Sequence, residues 1–267
     1  MSLTSTPLPR WEMVLRQADY WITAYKRTWK GTAITSFVMP LFYVGAMGVL
    51  LGGFIDAGGA RLEGAPSYLA FVGPGLVAAH AMQIATGEVT WPVMGMVKWH
   101  RTYYAMIATP LGVADVVVAH LLFTLFRVGT SCGVFLLVLA LFGVFASPIG
   151  VVAAFFVQML IGLAFAGPFF AYSATLKSES GFAIIFRLLV MPLFLFSGAF
   201  FPISNLSEPL EWVARATPLW HGVDLTRMLV LGTVDGSLAL VHLLYLLVLS
   251  AVGVWLAVWR LDKRLEV

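Results

Sequence analysis

Six stretches of this chain run for about 20 residues or more with no more than two charged side chains each, the length an α-helix needs to cross the hydrocarbon core of a bilayer. They cover approximately residues 33–55, 68–97, 113–145, 149–172, 182–201 and 238–259. Hydrophobic residues make up 60% of the chain and charged ones 11%, against roughly 45–50% and about 25% for a soluble domain. A soluble fold of this size has too few polar groups to cover its exterior, so lipid must serve as part of the solvent. The fold class is therefore all-α: a single polytopic membrane domain with six transmembrane helices. The second and third stretches exceed a simple span and predict tilted or extramembrane ends.

A different pattern precedes the first span. Over residues 10–30, Trp11, Val14, Leu15, Ala18, Trp21, Ile22, Tyr25 and Trp29 recur at helical spacing, with Glu12, Arg16, Asp19, Lys26, Arg27 and Lys30 largely opposite. This predicts an amphipathic helix lying in the membrane interface. The scattered charges and the lack of a continuous apolar core there exclude a cleavable signal peptide. Basic residues dominate the N-terminal segment, the stretch Lys98–Arg101 and the C-terminal tail. The loop holding Asp56, Arg61 and Glu63 and the segment holding Glu208, Glu211, Asp224 and Asp235 are neutral or acidic. By the positive-inside rule both termini are cytoplasmic, which agrees in parity with six spans. The lone cysteine, Cys132, sits in an apolar run and reads as a structural thiol.

Two connecting segments carry information. Lys98-Trp99-His100-Arg101-Thr102-Tyr103-Tyr104 is basic and aromatic and ends at Thr109-Pro110. It suits either a short helix docked on a cytoplasmic partner or a loop meeting lipid phosphates. Residues 205–220 are too polar to span and too apolar for an ordinary loop; prolines 202, 209 and 218 divide them, and two short re-entrant helices answer that pattern. Within the spans, charge is costly and its bearers are functional candidates. Arg127 pairs with Glu88, faces a dimer seam or contacts an anionic substrate. His80 reads as a hydrogen-bonded core histidine. Asp115 and His120 lie near the cytoplasmic start of the third span, where interface snorkelling, helix-end pairing and a functional role are all open readings. His221, Asp224 and Arg227 share a helical spacing that mimics a catalytic cluster but reads better as a cap fixing the re-entrant hairpin to the sixth span.

The run Ser197-Gly198-x-Phe200-Phe201-Pro202, followed by Leu206 and Pro218-Leu219-x-His221-x-x-Asp224-x-x-Arg227, resembles the C-terminal signature of type-2 ATP-binding-cassette exporter permeases. The likeness is strongest to permeases for nodulation factors and for daunorubicin-type drug resistance. Pro40-Leu41-Phe42-Tyr43, Phe71-x-x-Pro74-Gly75 and Thr109-Pro110-Leu111 fit the same pattern; Pro209 beside Glu208 departs from it. The resemblance implies a coupling helix at residues 98–108, with Lys98, Trp99, His100, Arg101 and Tyr103 meeting the motor. It implies re-entrant helices at residues 205–220, with Phe200, Phe201 and Pro202 joining Glu88 and Arg127 as candidates for translocation or gating. Ser197, Gly198, Pro218, His221, Asp224 and Arg227 are its structural signature. It also implies a second permease chain, identical or sibling, two nucleotide-binding ATPase subunits and a bacterial plasma membrane.

The chain contains no Gly-Lys dipeptide and hence no phosphate-binding P-loop. ATP and magnesium are expected on the partner subunit, with no cofactor, metal or nucleic acid on this chain, which is not an enzyme by itself. The expected cargo is a lipid-linked, glycolipid or amphipathic drug-like molecule. Two other readings stay open: an ion-coupled carrier using Glu88 or Arg127, and a membrane-embedded lipid-modifying enzyme using His221 and Asp224.

Overall fold

The computed structural model describes residues 10–59 and 62–266; Arg61, counted above in the first loop, lies outside them. Helices account for every regular element among the described residues. α1 (10–57) is unbroken, with π-helical geometry over Val44–Leu51. α2 is Tyr68–Val89, α3 spans 91–99, and α4 is the short Thr102–Ile107. α5 (Val113–Leu141), α6 (Pro148–Thr175), α7 (Ser180–Phe196), α8 (Glu208–Arg215), α9 (Pro218–Leu231) and α10 (Gly236–Leu265) follow. Five segments are long and apolar enough to cross a membrane: α1, α2 with α3, α5, α6 and α10. α7 is a shorter apolar helix at the place of the expected fifth span, ending at Phe196 rather than Phe201.

Three sequence boundaries move for physical reasons. The amphipathic segment 10–30 is not a separate helix but the first half of α1, because nothing between Lys30 and Ala33 breaks the backbone. At about 1.5 Å per residue, α1 reaches roughly 70 Å, far beyond a hydrocarbon core of about 30 Å. Its stripe also divides: Trp21 is buried and stacks on Phe123 of α5, while Trp11, Leu15, Ile22 and Trp29 are exposed. The second run breaks at Thr90 (φ −90°, ψ −89°), since Pro92 supplies no N–H to continue the ladder. The expected coupling helix 98–108 is split. Lys98 and Trp99 finish α3, Arg101 takes a left-handed conformation (φ 51°), and α4 begins at Thr102.

α6 is the hub, packed on α2, α5, α9 and most extensively on α10. Small residues let backbones approach there, as helix association in lipid favours. A Cβ on Gly167 would lie 2.6 Å from the carbonyl carbon of Gly253 on α10, and one on Gly253 would lie 2.5 Å from Cδ of Pro168. Gly150 is tighter still, because its Cβ would sit 1.8 Å from the Leu229 carbonyl oxygen of α9. Gly167→Ala should therefore push α6 and α10 apart and cost about 1–3 kcal/mol, the usual penalty of overpacking. Thermal unfolding of the purified chain in detergent checks this; an unchanged melting temperature would mean that the two backbones are not in contact.

Proline and hydroxyl groups set the remaining ends. Ser147, Thr217 and Asp235 accept backbone N–H bonds at the starts of α6, α9 and α10, satisfying donors that have no partner inside a helix. Pro148, Pro209 and Pro218 sit in the first turns of α6, α8 and α9, where a missing N–H costs nothing. The two short helices expected over 205–220 are α8 and α9, but α9 runs on to Leu231, well past Trp220.

Candidate functional site: a buried ion pair wired to a basic corner

Arg127 lies fourteen residues from each end of α5, so about 21 Å of helix separates it from either end. Its Nε donates to Glu88 Oε1 of α2 at 2.9 Å, and both side chains are largely buried. Of the readings open for Arg127, pairing with Glu88 is the one the geometry adopts, as a buried charge requires. The guanidinium also stands 5.3 Å from the ring centre of Tyr25 on α1. Its Nη1 is buried and has no hydrogen-bond partner among the described residues. Beside the pair is a cavity of about 230 Å³ between α1, α2 and α5, with Ser36, Tyr43, His80, Gln83 and Ser131 in its wall. His80 is indeed hydrogen-bonded: its Nε2 lies 2.8 Å from Ser131 Oγ, which donates in turn to Ser36 Oγ.

A line of hydrogen bonds runs from this pair to the corner between α3 and α4. Pro92 leaves the Glu88 carbonyl, four residues back, without its helical donor. His120 Nε2 fills the gap at 3.0 Å. A carbonyl only accepts, so Nε2 carries the proton and Nδ1 of the neutral ring accepts the Tyr103 hydroxyl. His120 is fully buried and its ring is 4.2 Å from that of Trp21. It is neither a snorkelling nor a helix-end group, which removes two of the three readings its sequence position left open; the signal lay in Pro92, whose freed carbonyl needed a donor. Asp115 does act at a helix end, accepting from the Gly112 N–H at 2.9 Å.

Of the five residues proposed to meet a motor, Lys98, Trp99, His100 and Arg101 are exposed at this corner. Tyr103 turns inward and is completely buried. It fastens the corner to the body, a role that the alternation of one basic and aromatic segment could not separate from surface contact.

Two of the signature residues, Gly198 and Arg227, meet at a second joint. Arg227 of α9 donates through Nη2 to the Gly198 carbonyl at 2.7 Å and through Nε to the Phe71 carbonyl at 3.3 Å, and its guanidinium stands 3.9 Å from the centre of the Phe71 ring. Gly198 takes a left-handed conformation (φ 76°) that favours glycine, and Gly75 is held so close that a Cβ there would lie 2.7 Å from Ala199 Cα. Two motifs far apart in sequence, Phe71-x-x-Pro74-Gly75 and Ser197-Gly198, thus meet under one arginine. Glu63 is 3.6 Å from Arg227, yet burial holds its carboxyl above the usual range in spite of that arginine. The carbonyls are therefore the firmer partners. Phe200 and Phe201 are half-buried and Pro202 is buried beside this joint, where the Tyr68 hydroxyl donates to the Phe200 carbonyl. They do not touch the Glu88–Arg127 pair through any hydrogen bond or ring contact among the described residues.

His221 and Asp224 do not stand with Arg227 but face α10. His242 bridges them, with Nε2 3.0 Å from Asp224 Oδ2 and Nδ1 2.7 Å from His221 Nδ1. The carboxylate accepts from Nε2–H, and one proton is shared between the two Nδ1 atoms of His242 and His221. The sequence reading passed over His242, an ionisable residue inside an apolar span. This chain of bonds pins α9 to the last helix.

The sequence profile of the ABC-2 type transporter family matches residues 18–231, and so takes in both joints. The chain is 31% identical to nodulation protein J of Rhizobium leguminosarum bv. trifolii, over 79% of this chain and 81% of that protein. It is 30% identical to nodulation protein J of Rhizobium meliloti, over 80% and 82%, and 30% identical to that of Sinorhizobium fredii, over 92% and 94%.

Proposed function

We propose that this chain, which belongs to the ABC-2 type transporter family and is accordingly a multi-pass permease subunit of a transporter, is the membrane half of an exporter driven by a separate ATPase. One observation carries the reading. The exposed basic corner Lys98–Arg101 is tied, through Tyr103, His120 and the Glu88 backbone, to an ion pair at mid-helix depth. A push on the corner thus has a bonded route to the interior. ATP and magnesium sit on the partner; two permease chains with two ATPase subunits form the complex, and the short helices α8 and α9 dip into the outer leaflet. Both termini are cytoplasmic in a bacterial plasma membrane, and the cargo is a lipid-like or amphipathic molecule.

Nucleotide binding drives such a switch only if the two conformations bind the motor differently. Lys98→Glu with Arg101→Glu should therefore cut transport and cargo-stimulated ATP turnover at least tenfold while insertion and melting temperature stay as in the parent. Normal transport in that variant would remove the corner from the mechanism. Native mass spectrometry of the complex drawn from its own membrane in mild detergent tests the assembly: a mass of two permeases plus two P-loop subunits is expected. The chain recovered without any ATPase across several mild detergents would move the weight to an ion-coupled carrier.

A further inference from the structure

The last turns of α10 are packed on one side only. Ala257, Leu261 and Leu265 are buried against the body, while Trp255, Arg260 and Lys263 are exposed, so the helix end presents a fixed outward face. Its depth follows from the other end of the helix. α10 is capped by the exposed Asp235 and rises about 1.5 Å per residue. A hydrocarbon core of about 30 Å entered just past that cap is left about twenty residues on, at Trp255. Trp259, Arg260 and Lys263 then stand among the lipid head groups, the depth at which tryptophan is enriched. We infer that this face binds the head group of an anionic phospholipid, with Arg260 and Lys263 on its phosphate, and that the bound lipid bears on the basic corner through Arg264 and Tyr104. The lipid site is independent of the exporter reading; its effect on ATP turnover rests on that reading.

Three observations converge on that chemistry. First, the two cations stand against one ring. Arg260 Cζ is 4.4 Å and Lys263 Nζ 4.1 Å from the centre of Trp259, and Trp255 stacks on the same ring with centres 6.0 Å apart and planes 5° from parallel. The stack holds both long side chains close to the helix, so little of their freedom remains to be lost when a phosphate arrives. Second, neither cation is paired with a carboxylate among the described residues, although Asp262 and Glu266 flank them. Two like charges at one ring repel, and an anion between them relieves the repulsion. A zwitterionic head brings its own ammonium and relieves less. The helix dipole also favours Lys263 in the last turn, but it does not distinguish one lipid from another. Third, the Tyr104 hydroxyl donates to the Arg264 carbonyl at 3.3 Å. Tyr104 belongs to α4, which starts directly after Arg101, so the lipid-facing end of α10 is bonded to the basic corner.

The test uses the full chain, with whatever ATPase accompanies it, in nanodiscs of phosphatidylcholine. The discs carry a small fraction of phosphatidylglycerol or of phosphatidylcholine bearing a diazirine in its head group. After photolysis, adducts on residues 255–266 are counted by mass spectrometry. Each basic side chain near a membrane favours anionic lipid about fivefold, so the anionic probe should label this stretch roughly tenfold more than the zwitterionic one. Arg260→Gln with Lys263→Gln should bring the two probes within about twofold of each other, with insertion and melting temperature as in the parent. Asp262→Asn with Glu266→Gln removes the competing acids and should widen the preference by about twofold or more, a gain that a merely structural role for this helix end does not produce. Equal labelling in the parent, or a preference that survives loss of both cations, would overturn the site. Labelling that bound ATPase suppresses would overturn it too, because the face would then be a protein contact. ATP turnover should change by about twofold or more when phosphatidylglycerol replaces phosphatidylcholine throughout, and Tyr104→Phe should abolish that dependence while the labelling preference stays. Turnover indifferent to lipid in the parent, or a dependence that persists in Tyr104→Phe, would overturn the link to the corner. A chain without any ATPase that still prefers the anionic probe leaves the lipid site standing and sinks the exporter reading. A complex with its ATPase but equal labelling does the reverse.

Discussion

Arg227→Met should lower the stability of the chain by about 3 kcal/mol, because it removes the donor of the Gly198 carbonyl and a second donor to the Phe71 carbonyl, and hydrogen bonds to a charged group contribute roughly 1.5–3 kcal/mol each. The residue is 6% exposed, so water cannot replace the lost donors. Lysine should recover only part of the loss: an ammonium is a compact charge without the planar fork that reaches the Gly198 and Phe71 carbonyls together. Glu63→Gln is the instructive comparison. Glu63 is more than a third exposed and stands 3.6 Å away, a contact of the kind that contributes about 0–1 kcal/mol. A melting temperature that falls sharply for Arg227→Met and hardly at all for Glu63→Gln would establish the carbonyls as the partners that matter. Equal losses would give that role to the ion pair.

The second large effect belongs to His120. His120→Phe keeps an aromatic ring against Trp21 and Phe170 but removes both hydrogen bonds. The Tyr103 hydroxyl and the Glu88 carbonyl are then left unpaired, at about 1–3 kcal/mol for each buried group. Hydrogen bonds between membrane helices average nearer 0.6 kcal/mol, so the lower end of that range is the one to expect. Transport should suffer more than stability, since the same change cuts the line between the basic corner and the Arg127 ion pair. Tyr103→Phe removes one bond of the line and should give an intermediate result. A His120→Phe protein that melts lower yet transports at the parental rate would show that the line holds the fold and does not carry the signal.

Much of this architecture was legible in the sequence because lipid makes hydropathy a direct record of depth. The long apolar runs, the Glu88–Arg127 pairing and the proline-delimited helices after Phe201 all follow from the cost of exposed charge and unpaired backbone. What was hidden depends on contacts between distant segments. Nothing near Tyr103 signals that its hydroxyl turns inward to a histidine 17 residues on. His242 joins His221 and Asp224 only once α10 folds back on α9. The run from Trp11 to Ile55 shows two hydrophobic patterns, and these suggested two helices. The backbone has no reason to break between them, so amphipathicity marked a change of surroundings rather than an end.

The glycine contact between α6 and α10 also fixes which parts of the molecule can serve as bearings. Two helices whose backbones touch at Gly167 and Gly253 cannot slide or roll past each other without lifting apart, so they form a keel that turns as one piece. The widened π-helical turns lie elsewhere, in α1 at Val44–Leu51, in α3 at Gly95–Trp99 and in α7 at Phe186–Val190, and such turns are where helices bend. Any change of shape in this permease is therefore expected to be a swing of α1, α3 and α7 about a stationary keel, with its pivot points already cut into the moving arms.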